Sequence, residues 1–369
     1  MKKIHELLKL PRSAGDVGIE IEVEGRNLNP IADDYWKTVD DASLRGHFPE
    51  GRSEYVLQRP IPVKSVEAVL DVLIDAQKNA KLDFSFRCSS HIHVNIQDLT
   101  YPQLLAYIYL CILLEEPLMS LCGEERQGNR FCLRINDAEG YIDYLSEMFF
   151  GGYKMLRVHR EGEMRYAAIN IAPITKYGSI EFRGMRGTLD KDVLVPWIQT
   201  LYRLREAAKK FGDPVAVYNE FVTTRNDVFM KKMLGKNAEK FDCNGNMDAV
   251  NRSFSLSIDL PNMYLRNEKQ ILVDCEGEQG KEEKLKHIQL GRLPAPIRWE
   301  DIRPVQVQPD WMEAEVARIQ MQFAVAEEAN QPNQPFRAAP RLRWVGRDEF
   351  GRFARVEAPH PVDPVEVNE

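Results

Sequence analysis

The stretch 18-GIEIEVEG-25 decides how this chain is read. In an extended strand, successive side chains point to opposite faces. Ile19, Ile21 and Val23 therefore share one face, while Glu20, Glu22 and Glu24 line the other, with neighbours on a face about 7 Å apart. Carboxylates aligned in this way repel one another, and partial burial would push them toward the neutral form. Two arrangements relieve the repulsion. Either the acidic face is fully solvated, as on an exposed sheet edge, or a cation sits on it.

Two further stretches repeat the pattern. In 87-RCSSHIHVNI-96, His91, His93 and Asn95 share a face and Ile92, Val94 and Ile96 take the opposite one; two of the chain's seven histidines flank one isoleucine. Such a pair can ligate a metal, grip an anionic group or be structural. In 179-SIEFRG-184, Glu181 and Arg183 share a face, with Ile180 and Phe182 behind. This is either a surface ion pair of little energetic worth, or a carboxylate for a cation beside a guanidinium whose planar fork suits phosphate.

Taken together, three strands with apolar backs and ionisable fronts predict a sheet packed on helices by one face, the other being the floor of a site. A set rich in carboxylate, with one or two imidazoles, suits Mg²⁺ or Mn²⁺ better than Zn²⁺. Arginines gather nearby in sequence: Arg126, Arg130, Arg134, Arg157, Arg160, Arg165, Arg183 and Arg186. Carboxylates beside guanidiniums fit a metal–phosphate substrate. There is no Walker loop and no G-x-G-x-x-G, so any nucleotide is expected to be held by metal and arginine.

Composition narrows the classes. With 369 residues and 44% hydrophobic residues, the chain has material for a sizeable core. A net charge of −7 argues against coating nucleic acid or an anionic membrane. The start, MKKIHELLKLPRSAG, has no apolar run of the kind a secretory signal needs, and the most apolar segment, 104-LLAYIYLCILLEEPLM-119, is interrupted by two glutamates and a proline. A cytoplasmic protein is expected. None of the six cysteines forms a C-x-x-C pair, so reduced, mostly buried thiols are expected rather than a zinc ribbon.

Along the chain, strand patterns (VGIEIEV, EYVLQRP, FSFRCSSHIHVNI, YAAINIAPI, SIEFRGM) alternate with helix patterns as far as Gly212. Residues 65–80 place Val66, Val69, Leu70, Leu73 and Ile74 on one helical face. Thr100 and Gln103 form a capping-box signature, with Pro102 in the first turn, opening a helix read to Cys122 that is apolar almost all round. Asp190 is read as the cap of a helix from Lys191 to Lys210. Ten of the 21 prolines lie between Pro294 and Pro364. The expected organisation is a domain over 1–285, followed over 286–369 by a proline-rich extension with one helix near 311–329 and a disordered acidic tail.

The ordered set GIEIEVEG, VDDASL with EYVLQRPI, CSSHIHVNI, RYAAINIAP and GSIEFRGMRGTLD resembles the amidoligase family over about residues 14–212. That family belongs to the carboxylate–amine ligases, a superfamily with the fold of glutamine synthetase and γ-glutamylcysteine synthetase, and is often found in bacteria and phages. The resemblance implies an α+β fold with a curved antiparallel sheet, helices on one face, and ATP with Mg²⁺ or Mn²⁺ on the concave face. It implies Glu20 and Glu22 as a first metal pair, and Glu54 and Glu181 as further metal ligands. His93 would touch metal or ATP phosphate, with His91 nearer the acceptor. Arg183 would stabilise the transferring phosphate. Arg130, in EERQGNRFC, together with Arg165 and Arg186, is implied at substrate or phosphate. Asp41 and Ser43 match the pattern, a turn-capping role being equally open. The family's usual Cys-Gly-x-His is here Cys88-Ser89-Ser90-His91.

The implied reaction joins a carboxylate to an amine through an acyl phosphate, which requires positioning and charge neutralisation rather than a Ser or Cys nucleophile. Substrates would be amino-acid, peptide or protein carboxylates and amines; neither nucleic acid nor membrane is expected as a partner, and a homo-oligomer is possible on the superfamily's example. Two other readings stay open: a metal-dependent hydrolase built on the same face, and a non-catalytic binding protein that kept the fold.

Overall fold

The computed structural model describes residues 1–44, 51–135, 137, 138, 140–157, 165–241 and 247–276, with the backbone of 343–347 and 353–356. The chain divides into two compact units, Met1–Ile297 and Arg298–Glu369. In the second unit, Arg343–Arg347 and Phe353–Val356 pair as an antiparallel hairpin with a register shift, which the proline-rich reading did not anticipate. The helix expected at 311–329 and the acidic tail lie outside the described residues.

The first unit is α+β, with an open antiparallel sheet. Its strands are β1 (Val17–Arg26), β2 (Trp36–Val39), β3 (Arg52–Leu57), β4 (Lys81–Asp83), β5 (Ser90–Asn95), β6 (Ile169–Asn170) and β7 (Ser179–Phe182). They run in the order β2-β3-β1-β5-β7-β6, with β4 also pairing β1. β1 is therefore central, hydrogen-bonded on both sides, and the exposed-edge reading of GIEIEVEG is excluded.

The back of the sheet is apolar. Val17, Ile19, Ile21 and Val23 are at most 1% exposed, and Ile92, Val94, Ile180 and Phe182 continue the face. Burying each such side chain contributes roughly 1.5–3 kcal/mol. The Tyr101–Leu113 helix lies over this face, its Tyr107 ring centroid 6.0 Å from that of Phe182. Every residue of that helix but Gln103 is buried, because three further helices pack around it: Pro214–Thr223, Met247–Ser257 and Lys191–Phe211, whose Leu201 carbonyl accepts from the Tyr107 hydroxyl at 3.0 Å. This explains an apolar pattern that runs all round the helix. The Val66–Ala76 helix buries Val66, Val69, Leu70 and Leu73 and is tied to β2 by Trp36 Nε1 donating to Val69 O at 2.9 Å.

The caps read from sequence are formed. The Thr100–Gln103 capping box is reciprocal, and the Asp190 carboxylate accepts from Asp192 N. The helix read to Cys122 instead breaks at Leu114 and restarts as Glu115–Ser120. Pro117 has no N–H to continue the first helix but is tolerated in the first turn of the second. Two strands are shorter than read. Residues 84–89 turn, with Cys88 N bonded to Ser85 O, so β5 begins at Ser90. The YAAINIAPI segment keeps only Ile169–Asn170 in the sheet, because Leu133 exchanges backbone bonds with Tyr166 and Ala168, and Pro173 precedes a turn of helix.

Candidate metal and substrate site

Register assembles the front face. Across β1, Glu22 stands opposite Glu54 on β3 and Glu20 opposite His91 on β5; His93 stands opposite Glu181 on β7, and Glu181 opposite Asn170 on β6. Four strands far apart in sequence thus place Glu20, Glu22, Glu54, His91, His93 and Glu181 on one surface. One ligand atom each from Glu20, His93 and Glu181 lie within 4.8 Å of one another. That is close enough for small side-chain adjustments to bring them onto one ion with bonds of about 2.1 Å, and two carboxylates with one imidazole fit Mg²⁺ or Mn²⁺.

Hydrogen bonds fix the orientation of each group. His93 Nδ1 lies 3.1 Å from Ser179 Oγ, leaving Nε2 to face Glu20 Oε1 at 3.5 Å. His91 Nδ1 lies 3.4 Å from both Glu20 Oε2 and Glu181 Oε1. Its Nε2 is 2.7 Å from Ser89 Oγ, and that hydroxyl donates to Glu22 Oε2 at 2.6 Å while Ser89 N donates to the same oxygen at 2.8 Å. Because the single hydroxyl proton goes to Glu22, His91 Nε2 must donate to Ser89. Glu181 receives Asn170 Nδ2 at 2.6 Å and Arg183 Nη1 at 2.5 Å.

The electrostatics separate these carboxyls. Burial works to raise the Glu20 pKa, but hydrogen bonds with His91 and His93 outweigh it and hold the group well below the usual carboxylate range. At Glu181 burial is likewise outweighed, by the charges of His91, Arg183 and His93. Burial dominates at Glu22 and raises it. Glu54 is pushed up to about 7, first by burial and then by the negative charges of Glu20 and Glu22. For His91, burial and Arg183 oppose protonation, but Glu20, Glu22 and Glu181 prevail and raise its pKa. The face therefore carries more negative charge than its own cations settle, and a divalent ion would answer it.

A cavity of about 270 Å³ opens beside Glu20 and His93. Gly18 forms part of its floor, and Lys37, Arg59, Gln58 and Tyr177 stand among its walls. The absence of a side chain at Gly18 keeps this floor clear; a Cβ there would meet His93 Cβ at 3.4 Å.

The other expected residues separate from the cluster. Of the eight arginines, Arg183 reaches the carboxylates. Arg126 is 1% exposed and lies beneath it, donating to Arg183 O at 2.8 Å and Gly184 O at 3.2 Å. Arg186 bonds Leu121 O and stands 4.0 Å from Glu125. Arg134 pairs with Glu116, and Arg157 donates to Leu7 O. Arg130 and Arg165 are exposed, each over a neighbouring ring, Phe131 and Tyr166 respectively. Among the described residues, neither contacts the carboxylate cluster. Arg160 lies outside the described residues. Asp41 accepts from Ser43 N and Oγ, both at 2.8 Å, so this pair caps a turn.

Sequence reasoning missed Ser89, Asn170, Ser179 and Lys37. Asn170 carried a usable signal, a lone polar residue between Ile169 and Ile171. Ser89 was legible only as a departure from glycine; its two bonds depend on register.

An open antiparallel sheet backed by helices, with an acidic and imidazole-bearing front, defines an α+β protein with a candidate metal site. Residues 56–204 match the family model described as "Putative amidoligase enzyme", which bears out the resemblance carried by the sequence motifs and supports an enzyme of ligase type. The match takes in His91, His93, Glu181 and Arg183 and starts beyond Glu20, Glu22 and Glu54. No curated protein matches the chain. No helix among the described residues is long and apolar enough to cross a membrane.

Proposed function

We propose that the protein is an ATP-dependent carboxylate–amine ligase acting through an acyl phosphate, on a sheet curved as in glutamine synthetase. The observation that carries this reading is the convergence of Glu20, His93 and Glu181, with Arg183 on Glu181. Bound Mg²⁺ or Mn²⁺ would neutralise phosphate oxygens and the charge that develops during transfer.

The chain's own residues supply the remainder. Glu20, Glu181 and His93 would hold the ion, with Glu22 and Glu54 as a second acidic pair. Arg183 lies half-buried, its guanidinium shared with Glu181, where it stabilises a transferring phosphoryl group. Ser179, Ser89 and Asn170 keep the imidazoles and carboxylates in place, as outer partners of metal ligands do. In the reaction, a substrate carboxylate oxygen attacks the γ-phosphorus and ADP leaves; the amine then attacks the acyl carbon and phosphate leaves. Lys37 and Arg59 in the walls of the cavity suit an anionic substrate group. A cytoplasmic reaction belongs to the same proposal and is in keeping with Cys88, Cys111, Cys122, Cys132 and Cys275, all free and buried.

Calorimetric titration of ATP with and without Mg²⁺, on the wild type and on Glu22→Ala/Glu181→Ala, tests the proposal. Binding that requires the metal and vanishes in the variant is expected. Tight Mn²⁺ or Zn²⁺ binding without any nucleotide binding would instead favour a metal-dependent hydrolase.

A further inference from the structure

Beside Arg183 the surface carries three arginines layered on three aromatic rings. Phe86 is 57% exposed. The Arg87 guanidinium carbon lies 5.4 Å from its ring centroid and 5.6 Å from that of Phe131, so Arg87 bridges two rings that are far apart in sequence. Arg130 covers Phe131 at 4.8 Å. Phe131 meets Tyr166 edge-on at 6.0 Å, and Arg165 covers Tyr166 at 5.0 Å. This layered surface joins the carboxylate cluster directly, because Phe131 O accepts from Arg183 Nε at 3.4 Å.

Ring contacts do not use the hydrogen-bond donors of these guanidiniums. Arg87 gives one N–H to Ser43 O at 3.2 Å. Among the described residues, no carboxylate pairs with Arg87, Arg130 or Arg165, although the chain as a whole is acidic and exposed Glu125 of the same loop faces Arg186. Contact with the rings restrains each guanidinium, which lowers the cost of ordering it around a ligand carboxylate. The charge and geometry complement a chain of carboxylates rather than a single one.

We propose that Phe86, Arg87, Phe131, Arg130, Tyr166 and Arg165 form a docking surface for an acidic polypeptide. The inference builds on the ligase reading only in making that polypeptide the substrate, whose carboxylate is led past Arg183 to the Glu20–His93–Glu181 centre. A single-stranded nucleic acid fits less well: bases need open ring faces, which here are occupied by guanidinium groups, and the neighbouring sheet face is acidic.

The test uses the full chain and fluorescein-labelled hexaglutamate, read by anisotropy, with hexaglutamine and an oligothymidylate as controls. The wild type should bind hexaglutamate, not hexaglutamine, and more weakly as salt rises. The Arg87→Ala/Arg130→Ala/Arg165→Ala variant should bind about tenfold or more weakly. The corresponding triple lysine variant, which keeps charge but not the planar stack, should fall between the two. Mn²⁺ affinity, measured on each variant, should be unchanged and reports an intact fold and centre. Absent hexaglutamate binding, equal binding by the alanine variant, or tighter binding of oligothymidylate would each overturn the proposal. Mg²⁺-dependent ATP binding is scored separately: its absence in the wild type would sink the ligase reading while leaving the docking result standing.

Discussion

On β1 the odd-numbered residues Val17, Ile19, Ile21 and Val23 are sealed against helices, whereas the even-numbered Glu20, Glu22 and Glu24 look across the opposite face toward histidine, serine and a further glutamate. The same ten residues thus make two surfaces with opposed energetics. The back is held by apolar burial and gains from each contact. The front gathers like charges, and where two of them stand in direct register, at Glu22 and Glu54, burial and repulsion cost stability. A cohesive back permits a repulsive front, and period-two alternation lets one strand serve both.

The largest expected effect breaks the front alone. Replacing Glu20 and Glu181 together by alanine should reduce Mn²⁺ affinity by more than about a hundredfold, since two of three converging ligands are lost. Because His91, His93 and Arg183 hold those two carboxylates ionised, their removal should also lower the melt of the metal-free protein, without unfolding it. Mn²⁺ electron paramagnetic resonance and a thermal melt check the two halves; a collapsed fold would show that the front holds the sheet together.

The next effect breaks the back alone. Ile92 is fully buried between Ile19 of β1 and Phe182 of β7. Ile92→Ala should cost about 2–5 kcal/mol in urea unfolding, with Mn²⁺ affinity of the folded protein kept near the wild-type value. A selective loss of metal binding at unchanged stability would contradict the division between the faces, even though His91 and His93 flank this position.

A smaller effect sharpens the comparison within the front. Ser89→Ala removes the hydroxyl that joins Glu22 to His91 while leaving the Ser89 backbone bond to Glu22 in place. Mn²⁺ affinity should fall by about 10–100-fold, the usual effect of losing an outer partner of a metal centre. Ser89→Thr, which retains the hydroxyl, should recover most of it.

These cases also show what could be read from the sequence. The alternation in GIEIEVEG, SSHIHVNI and SIEFRG marked both faces and named Glu20, His93 and Glu181, because strand periodicity is local. Register is not local. That Glu22 meets Glu54, and that His93 meets Glu181 and not Arg183, depends on how separate strands slide into place. β2, with Lys37, was invisible in the four-residue WKTV, which is too short for a period to show. The arginines were recognised as a group, but their nearness in sequence did not separate the buried clamp Arg126 from Arg183 at the carboxylates, or either from the layered surface of Arg87, Arg130 and Arg165.

Glu115 gives the clearest contrast with the front face. It is 2% exposed at the start of the Glu115–Ser120 helix, and its Oε2 accepts from Ile135 N at 2.9 Å. Among the described residues no histidine faces it; Glu116, Asp137 and Tyr141 lie near, and Arg134 is committed to Glu116 and Asp137. Burial therefore pushes its pKa up to about 8, only partly offset by the Ile135 bond. A carboxyl whose pKa is higher folded than unfolded holds its proton better in the native state. Its contribution to stability is thus full below the unfolded value of 4.5 and is lost as pH rises toward about 8. Glu115→Gln keeps an oxygen for Ile135 N but cannot ionise, so it should flatten the fall in stability across that window, by at most about 1.4 kcal/mol per pH unit. Urea midpoints at pH 6 and pH 8 compare the slopes. An unchanged slope would show that this carboxyl ionises as freely inside the fold as outside it, and that the front face is not alone in supporting buried negative charge.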